Sequence, residues 1–323
     1  MPVVSIGFSS YHGACHGNSQ KPDGQKPNGT EIVKVNRLKL VIPKGRLQDK
    51  AVALLESIGI SLTFSTRSYR PICSDPDIEI KLLKPQNITS LIALGRHDVG
   101  FAGYDWLLEN NLDKSPDITE LLDLGYNKVR LIAAVPDELA INDRWKNMRL
   151  VVASEYTNIA QRYLAERRLN AVLIKSHGAT EALPPEDADM IIDNTSTGAT
   201  LIANHLTIVD EILQSTTRVF ASTAAMDDPG KREKLDQMTM LMQSTLNAQR
   251  KVLLEMNVSK EDLEKLVNKL PAMRSPTVAP LYGQEGYAVK VAVPSKDVST
   301  LIPQLLELGA RDILEYRLQK LVP

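Results

Sequence analysis

Short apolar runs alternate along this chain with stretches of helical period. Leu40, Val41 and Ile42 form a run that Pro43 breaks, the pattern of a buried strand. Ala51, Leu54, Leu55 and Ile58 then fall on one helical stripe, and Gly59 supplies its stop. Ile78, Ile80 and Leu82 alternate as a strand. Residues 89–94 read as a helix closed by Gly95. Residues 98–105, DVGFAGYD, form a buried strand with small residues at its end, leading into a helix, WLLEN. A further strand is expected over 128–135, before Pro136. The pattern restarts with a strand at 150–153, a turn at 154–158, a helix at 159–167 and a strand at 172–174. An apolar run at 190–192 ends in Asp193, and Leu201, Ile202 and Leu206 beyond it carry helical spacing. A strand around 219–221 returns the chain to its first group of strands, and a long helix occupies 230–248, with Met238, Met240 and Met242 as packing residues. Strands alternating with helices in this way predict an α/β fold with mostly parallel sheets, arranged as two lobes around a cleft.

After residue 250 the grammar changes. Val252, Leu254, Met256 and Val258 alternate on a strand, and Ser259 caps a helix carrying Leu263, Leu266, Val267 and Leu270. Strands follow at 276–282 and 287–293. A second helix bears Val298, Leu301, Leu305 and Leu306, and a strand at 313–321 ends the chain. This is a βαββαβ, ferredoxin-like order. Pro303 in a helix interior costs about 3 kcal/mol, so that helix either kinks or begins nearer Ser299. Residues 1–37 show no period. Gly, Pro, Asn and Lys dominate HGNSQKPDGQKPNG, which reads as a disordered extension, with a transit peptide as the alternative. His12 and His16 flank Cys15 there, without an ordered scaffold to make a metal site.

A chain of 323 residues exceeds one small core and predicts two or three domains. Hydrophobic content of 43% and charged content of 24% describe an ordinary soluble protein, and no apolar run is long enough to span a membrane. A net charge of −1 argues against a general nucleic-acid binder. Two cysteines, Cys15 and Cys73, are too few for a disulfide framework or metal cluster.

Candidate chemistry concentrates after Asp193. Thr195, Ser196, Thr197 and Thr200 surround Gly198 between the apolar run and the helical spacing. Strand, hydroxyl-rich turn and helix build a phosphate cradle, in which helix-start amides and hydroxyls donate to an anion. Asp193 at the strand tip is placed to accept from sugar hydroxyls. An ordinary Ser/Thr-capped helix is the plain alternative. A second strand-to-helix turn, Lys44-Gly45-Arg46, offers two cations and a glycine, either as an anion site or as a solvated surface turn.

Taken together, these motifs resemble those of the ATP phosphoribosyltransferase family, whose enzyme opens histidine biosynthesis. Glu181, Asp193, Thr197, Gly198, Thr200 and Leu201 fill the places of its phosphoribosyl-diphosphate loop. VIPKGRL is close to its opening signature, and Asp98, Gly100, Gly103 and Asp105 fill its D-x-G-x-x-G-x-D element. PAMRSPTVAPL, residues 271–281, looks like its long-form regulatory domain. The resemblance implies a periplasmic-binding-protein-like catalytic part with one lobe at 38–134 and 216–249, the other at 135–215, and a regulatory domain at 250–323. It implies transfer of phosphoribosyl from 5-phosphoribosyl diphosphate to N1 of ATP, with Mg²⁺ held mainly through the substrate. Glu181 and residues 193–200 (Asp193, Asn194, Thr195, Ser196, Thr197, Gly198, Ala199, Thr200) would hold the donor. Lys44, Gly45, Arg46, Gly103 and Asp105 would meet ATP and the diphosphate, with Lys44, Arg46 and Asp193 catalytic. Ser275, Thr277 and Ala310 would bind histidine as inhibitor. A cytoplasmic homo-hexamer or dimer is implied, with neither nucleic acid nor membrane as partner.

The chain departs from the common family pattern at Lys84 and Asn87, where Arg and Asp are frequent, and at Asn127, where Gly is common. The segment from Glu181 to Asp193 is one residue short. Rival readings are a solute-binding protein, a catalytically weak regulatory paralogue, and a phosphoribosyltransferase with another acceptor. Adenine N1 is largely unprotonated at neutral pH, so positioning and electrostatics suffice without a strong base. On that view His177 and His205 are structural and His97 lies at the surface.

Overall fold

The computed structural model describes residues 37–65, 68–270 and 275–322; the readings made for His12, Cys15, His16 and the rest of 1–36, and for 271–274, lie outside the described residues. The first apolar run becomes β1 (Leu38–Pro43), buried at every position but Lys39. Helix α1 (Gln48–Ser57) turns Ala51, Leu54 and Leu55 inward, and Gly59 follows it at φ +91°. A small hairpin, β2 (Leu62–Thr63) and β3 (Ile72–Cys73), leads to β4 (Ile78–Leu83), where buried and half-buried positions alternate. Helix α2 (Pro85–Ala93) starts earlier than its apolar period indicates, because Pro85 occupies its first turn, where a missing N–H costs nothing. Strand β5 (Val99–Gly103) is buried throughout and runs straight into α3 (Tyr104–Glu109).

The chain continues through β6 (Ile118–Pro136), α4 (Asp137–Ala140), β7 (Leu150–Ser154), α5 (Thr157–Glu166), β8 (Ala171–Lys175), β9 (Met190–Thr195), α6 (Ala199–Ala203), β10 (Leu206–Ser222), α7 (Thr223–Asp227) and α8 (Pro229–Gln249). Eight of these strands share one sheet in the order β4-β1-β5-β10-β6-β9-β7-β8. Two parallel triplets, β4-β1-β5 and β9-β7-β8, are joined by the antiparallel pair β10-β6. The result is a two-lobed α/β fold, each triplet packed on both faces by its own apolar cores.

The joining strands correct the sequence reading. The strands expected at 128–135 and near 219–221 are the ends of β6 and β10, of 19 and 17 residues. Repeated register shifts between them mark bulges that bend and twist the pair. Leu206 lies on β10, so α6 is a five-residue turn of helix and not the longer one that its spacing implied.

The last segment forms β11 (Lys251–Val258), α9 (Leu263–Val267), β12 (Thr277–Pro280), β13 (Tyr287–Pro294), α10 (Val298–Glu307) and β14 (Arg311–Arg317). The sheet order β12-β13-β11-β14, all antiparallel, is the ferredoxin-like arrangement. Val252, Leu254, Met256, Val289, Val291 and Val293 meet Leu266, Leu301 and Leu305 in its core. Ser259 Oγ accepts from the Asp262 amide at 3.2 Å, turning the chain into α9 a few residues later than expected. Helix α10 starts at Val298 and keeps Pro303 in its interior. The final strand stops at Arg317, and Leu321 instead donates its amide to Ser244 of α8 at 2.9 Å.

Candidate active site

Strand β9 lies between β6 and β7 and delivers Asp193 and Asn194 to the rim of the sheet. Asp193 accepts from the Asn194 amide at 2.7 Å. Burial pushes its carboxyl up to about 6; the Asn194 amide and the Thr180 hydroxyl pull it down, and the charges of Glu155 and Glu181 push it up again. Beyond it the loop is latched on itself. Thr195 Oγ1 accepts from the Gly198 amide at 3.1 Å and Thr197 Oγ1 from the Ala199 amide at 3.4 Å. Gly198 sits at φ +81°, a conformation that glycine adopts without strain. These two amides, expected to face an anion, are turned onto the loop's own hydroxyls. The short α6 adds little dipole. What the loop presents outward are Ser196, Thr197, Ala199 and Thr200, all exposed. A cavity of about 230 Å³ beside it is lined by Arg46, Glu181, Asp193, Asn194, Thr195 and Thr200.

A second cavity, of about 150 Å³, collects Lys44, Arg46, Gly103, Asp105, Trp106, Tyr156 and Asn194. Arg46 and Asn194 line both cavities. Lys44 stands over the Tyr69 ring at 4.6 Å. Asp105, expected as a nucleotide contact, is buried with both oxygens engaged inside the protein. Oδ2 accepts from the Tyr156 hydroxyl and Oδ1 from Ser215 Oγ, each at 2.7 Å, and the Asp105 amide donates back to Ser215 Oγ at 3.0 Å. Asp105 therefore acts as a strut within the wall. Gly103 is what makes room for it, because a Cβ there would fall inside the Asp105 carboxylate. Tyr156 stacks on Trp106 with centroids 4.5 Å apart, and burial, followed by the Asp105 charge, pushes its hydroxyl pKa far up. Tyr156, Trp106 and Ser215 were missing from the sequence reading; no short motif marks them.

A third cavity, of about 710 Å³, shares Ser215 and Thr216 with the second and is also lined by Lys128, Arg130, Arg250 and Ser196 of the loop. Asn127 lies at φ +46° and accepts from Lys50 Nζ at 3.1 Å. Asn tolerates this left-handed conformation better than most residues, which accounts for its standing where Gly is common. Lys84 and Asn87 are exposed around the first turn of α2. Among the described residues no three His, Cys, Asp or Glu side chains group as a metal cluster.

The histidine assignments change. His97 is half-buried, its Nδ1 has no partner among the described residues, and burial with the Lys81 and Lys39 charges lowers its pKa. His177 and His205, expected as structural, are exposed. The proposed effector residues are not brought together within one chain. Ser275 and Thr277 are exposed at the β12 edge, whereas Ala310 precedes β14 at the opposite edge, with β13 and β11 between. Ala310 is itself buried, and its amide bonds Leu305 O at 2.9 Å.

Residues 84–244 match the family model described as HisG, ATP phosphoribosyltransferase, and residues 248–320 match HisG, C-terminal domain. The ATP phosphoribosyltransferase of Pelodictyon phaeoclathratiforme is 39% identical over 290 residues, covering 88% of this chain and 97% of that protein. The protein of the same name from Desulforudis audaxviator is 39% identical over 292 residues, covering 89% and 100%. Among solved structures, a chain of the ATP phosphoribosyl transferase (HisG:HisZ) complex from Thermotoga maritima aligns with a TM-score of 0.55 and 29% identity, over 64% of this chain and 98% of that one.

Proposed function

The chain belongs to the ATP phosphoribosyltransferase family, and we propose that its two adjoining cavities are the donor and acceptor sites of that reaction. Phosphoribosyl passes from 5-phosphoribosyl diphosphate to N1 of ATP, pyrophosphate leaves, and histidine biosynthesis begins. The observation that carries the assignment of the cavities is Arg46, which lines both of them. A cation at the boundary faces the place where the diphosphate must separate from the sugar while the adenine approaches it. On this reading Glu181 and Asp193 accept from the ribose hydroxyls, and Ser196, Thr197, Ala199 and Thr200 surround the 5-phosphate. Lys44 joins Arg46 on the leaving diphosphate.

Mg²⁺ suits this donor set. Hard carboxylate oxygens at Asp193 and Glu181 beside a diphosphate match an ion that keeps much of its water and binds through one or two carboxylates and substrate phosphates. When bound it neutralises charge on the diphosphate; the protein's own part is to orient the two substrates and exclude water. We read residues 38–134 with 216–249, and 135–215, as the two catalytic lobes, and 250–323 as a regulatory unit binding histidine. We further propose a cytoplasmic dimer or hexamer. Among the described residues no helix is long and apolar enough to cross a membrane.

The test is to incubate the chain with 5-phosphoribosyl diphosphate, Mg²⁺ and a panel of purine nucleotides, and to follow pyrophosphate and adduct by mass spectrometry. Equimolar pyrophosphate and phosphoribosyl-ATP are expected. Absence of any ATP adduct overturns the assignment.

A further inference from the structure

We propose that the side-chain oxygen of Asn194 reads the 6-amino group of the acceptor's adenine, and that Tyr156 and Asp105 hold it in that orientation. The inference rests on the second cavity being the acceptor site, and adds to that reading the residue that selects the base.

Asn194 stands next to Asp193 on β9 and lines both cavities. Its Nδ2 donates to the Tyr156 hydroxyl at 3.0 Å and toward Asp193 Oδ1 at 3.4 Å. The two amide protons are thereby directed into the protein. Oδ1 has no protein donor among the described residues and is not sealed from solvent. Asn194, which lines both cavities, thus presents an unpaired acceptor at their boundary.

That orientation is enforced from behind. A phenol carries one proton, and the proton of Tyr156 goes to Asp105 Oδ2 at 2.7 Å. Ser215 pins the other Asp105 oxygen at 2.7 Å, so the carboxylate is fixed. The Tyr156 oxygen therefore turns only lone pairs toward Asn194. A flipped amide would set Oδ1 against those lone pairs and against the Asp193 carboxylate. Tyr156 is buried and stacked on Trp106 at 4.5 Å, which keeps the hydroxyl in place. Tyr156 and Asp105 are positioning residues, acting on the base through Asn194.

In adenine the 6-amino group is bonded to the carbon adjacent to N1, the attacking atom. A side chain neighbouring Asp193 that accepts from this amino group sets N1 facing the sugar held there. Inosine and guanosine nucleotides carry a 6-oxo group, an acceptor that would oppose Asn194 Oδ1 at the position where adenine offers a donor. Sites built around one hydrogen-bond polarity reject the opposite one strongly.

The test separates recognition from reaction. Binding of ATP and of ITP to the full chain is measured by calorimetry without donor, for wild type, Asn194→Leu and Tyr156→Phe. Wild type should favour ATP by at least about tenfold. Asn194→Leu should bring the two affinities within about threefold of each other. Tyr156→Phe keeps the ring and its stacking but frees the amide to flip, so ITP should bind more tightly than to wild type while ATP weakens. A gain for ITP is something that simple structural damage would not produce. If Asn194→Leu binds neither nucleotide, the Tyr156→Phe ratio decides. Equal wild-type affinities, or an ATP-to-ITP ratio unchanged in Tyr156→Phe, overturn the inference. Turnover of ATP by wild type in the same preparation keeps that failure distinct: the acceptor assignment stands if phosphoribosyl-ATP forms and falls if it does not.

Discussion

Glu109, the last residue of α3, accepts a 3.0 Å hydrogen bond from the backbone amide of Ile159 in the first turn of α5. The same carboxylate takes the Asn158 amide at 3.0 and 3.1 Å and the Thr157 hydroxyl at 3.2 Å. A helix start that lacks a cap of its own is thus capped by a buried acid from another helix, its charge matched to the positive end of the dipole. Glu109→Gln, which keeps the shape and loses the charge, should cost about 1–2 kcal/mol. Glu109→Ala leaves two backbone amides and a hydroxyl without this partner and should cost roughly 2–3 kcal/mol. Urea unfolding of both variants checks this, and a loss under a few tenths of a kcal/mol in Glu109→Ala would show that the cap contributes nothing.

Gly103 has an ordinary negative φ, so conformational freedom is not why it is glycine. The space a side chain would need is filled by Asp105. Gly103→Ala should expel that carboxylate from Ser215 and Tyr156, costing about 1–3 kcal/mol in stability. The variant should fold, with kcat/KM for ATP down at least about tenfold, since a small misplacement in a site is costly to rate. Near wild-type kcat/KM with a retained fold would release Asp105 from its role as a strut.

These two relationships show what the sequence could and could not reveal. Leu38–Pro43, Ile78–Leu83 and Lys251–Val258 were legible because a buried face leaves an apolar period in adjacent residues. The long strands were not. Bulges at Ile208/Asp210 and Ser215/Thr217 interrupt the period, and Gly125 and Asn127 look like turn residues inside β6. Leu206 fell by chance on the helical spacing of its neighbours. Asp193 and its loop were visible as a local motif. The Asp105 network was not, because Tyr156 and Ser215 lie 51 and 110 residues from Asp105 and only the fold brings them together.

Asp193 gives a prediction of opposite sign for stability and for rate. Its carboxyl titrates at about 6 in the fold, against an ordinary 3.8. Between those values the folded state binds more protons than the unfolded one. The stability linked to this group is therefore fully present below pH 3.8 and is lost as pH rises through 6. Asp193→Asn removes the buried charge and should be more stable than wild type by about 1–3 kcal/mol near neutral pH, the difference closing toward acid. Turnover should fall in the same variant, because on the proposed reading the ionised carboxylate accepts from the ribose. In wild type, kcat/KM for the donor should decline below about pH 6 as this group takes its proton. Melting curves across the pH range check the first claim: a stability difference that does not vary with pH would mean that the group titrates normally.

Histidine inhibition, if it uses Thr277 and the turn at Gly309 and Ala310, requires more than one chain. In the four-stranded sheet, β12 and β14 are the two edges, separated by β13 and β11. Three strand spacings put them roughly 14 Å apart, farther than one free amino acid reaches. The buried Ala310 side chain and its amide, already bonded to Leu305, leave only the turn surface on that side. A site combining both edges must therefore be built by two copies, each lending one. Histidine should then inhibit non-competitively with 5-phosphoribosyl diphosphate, since it acts by favouring one assembled state over another. Inhibition should weaken as the protein is diluted and the assembly dissociates, because binding that needs two chains follows mass action. Thr277→Val should weaken it further without a matching loss of uninhibited rate. Initial rates over a matrix of histidine, donor and protein concentrations decide the matter. Strictly donor-competitive inhibition would move histidine into the catalytic cleft, and inhibition of full strength in a demonstrably monomeric sample would show that one chain suffices.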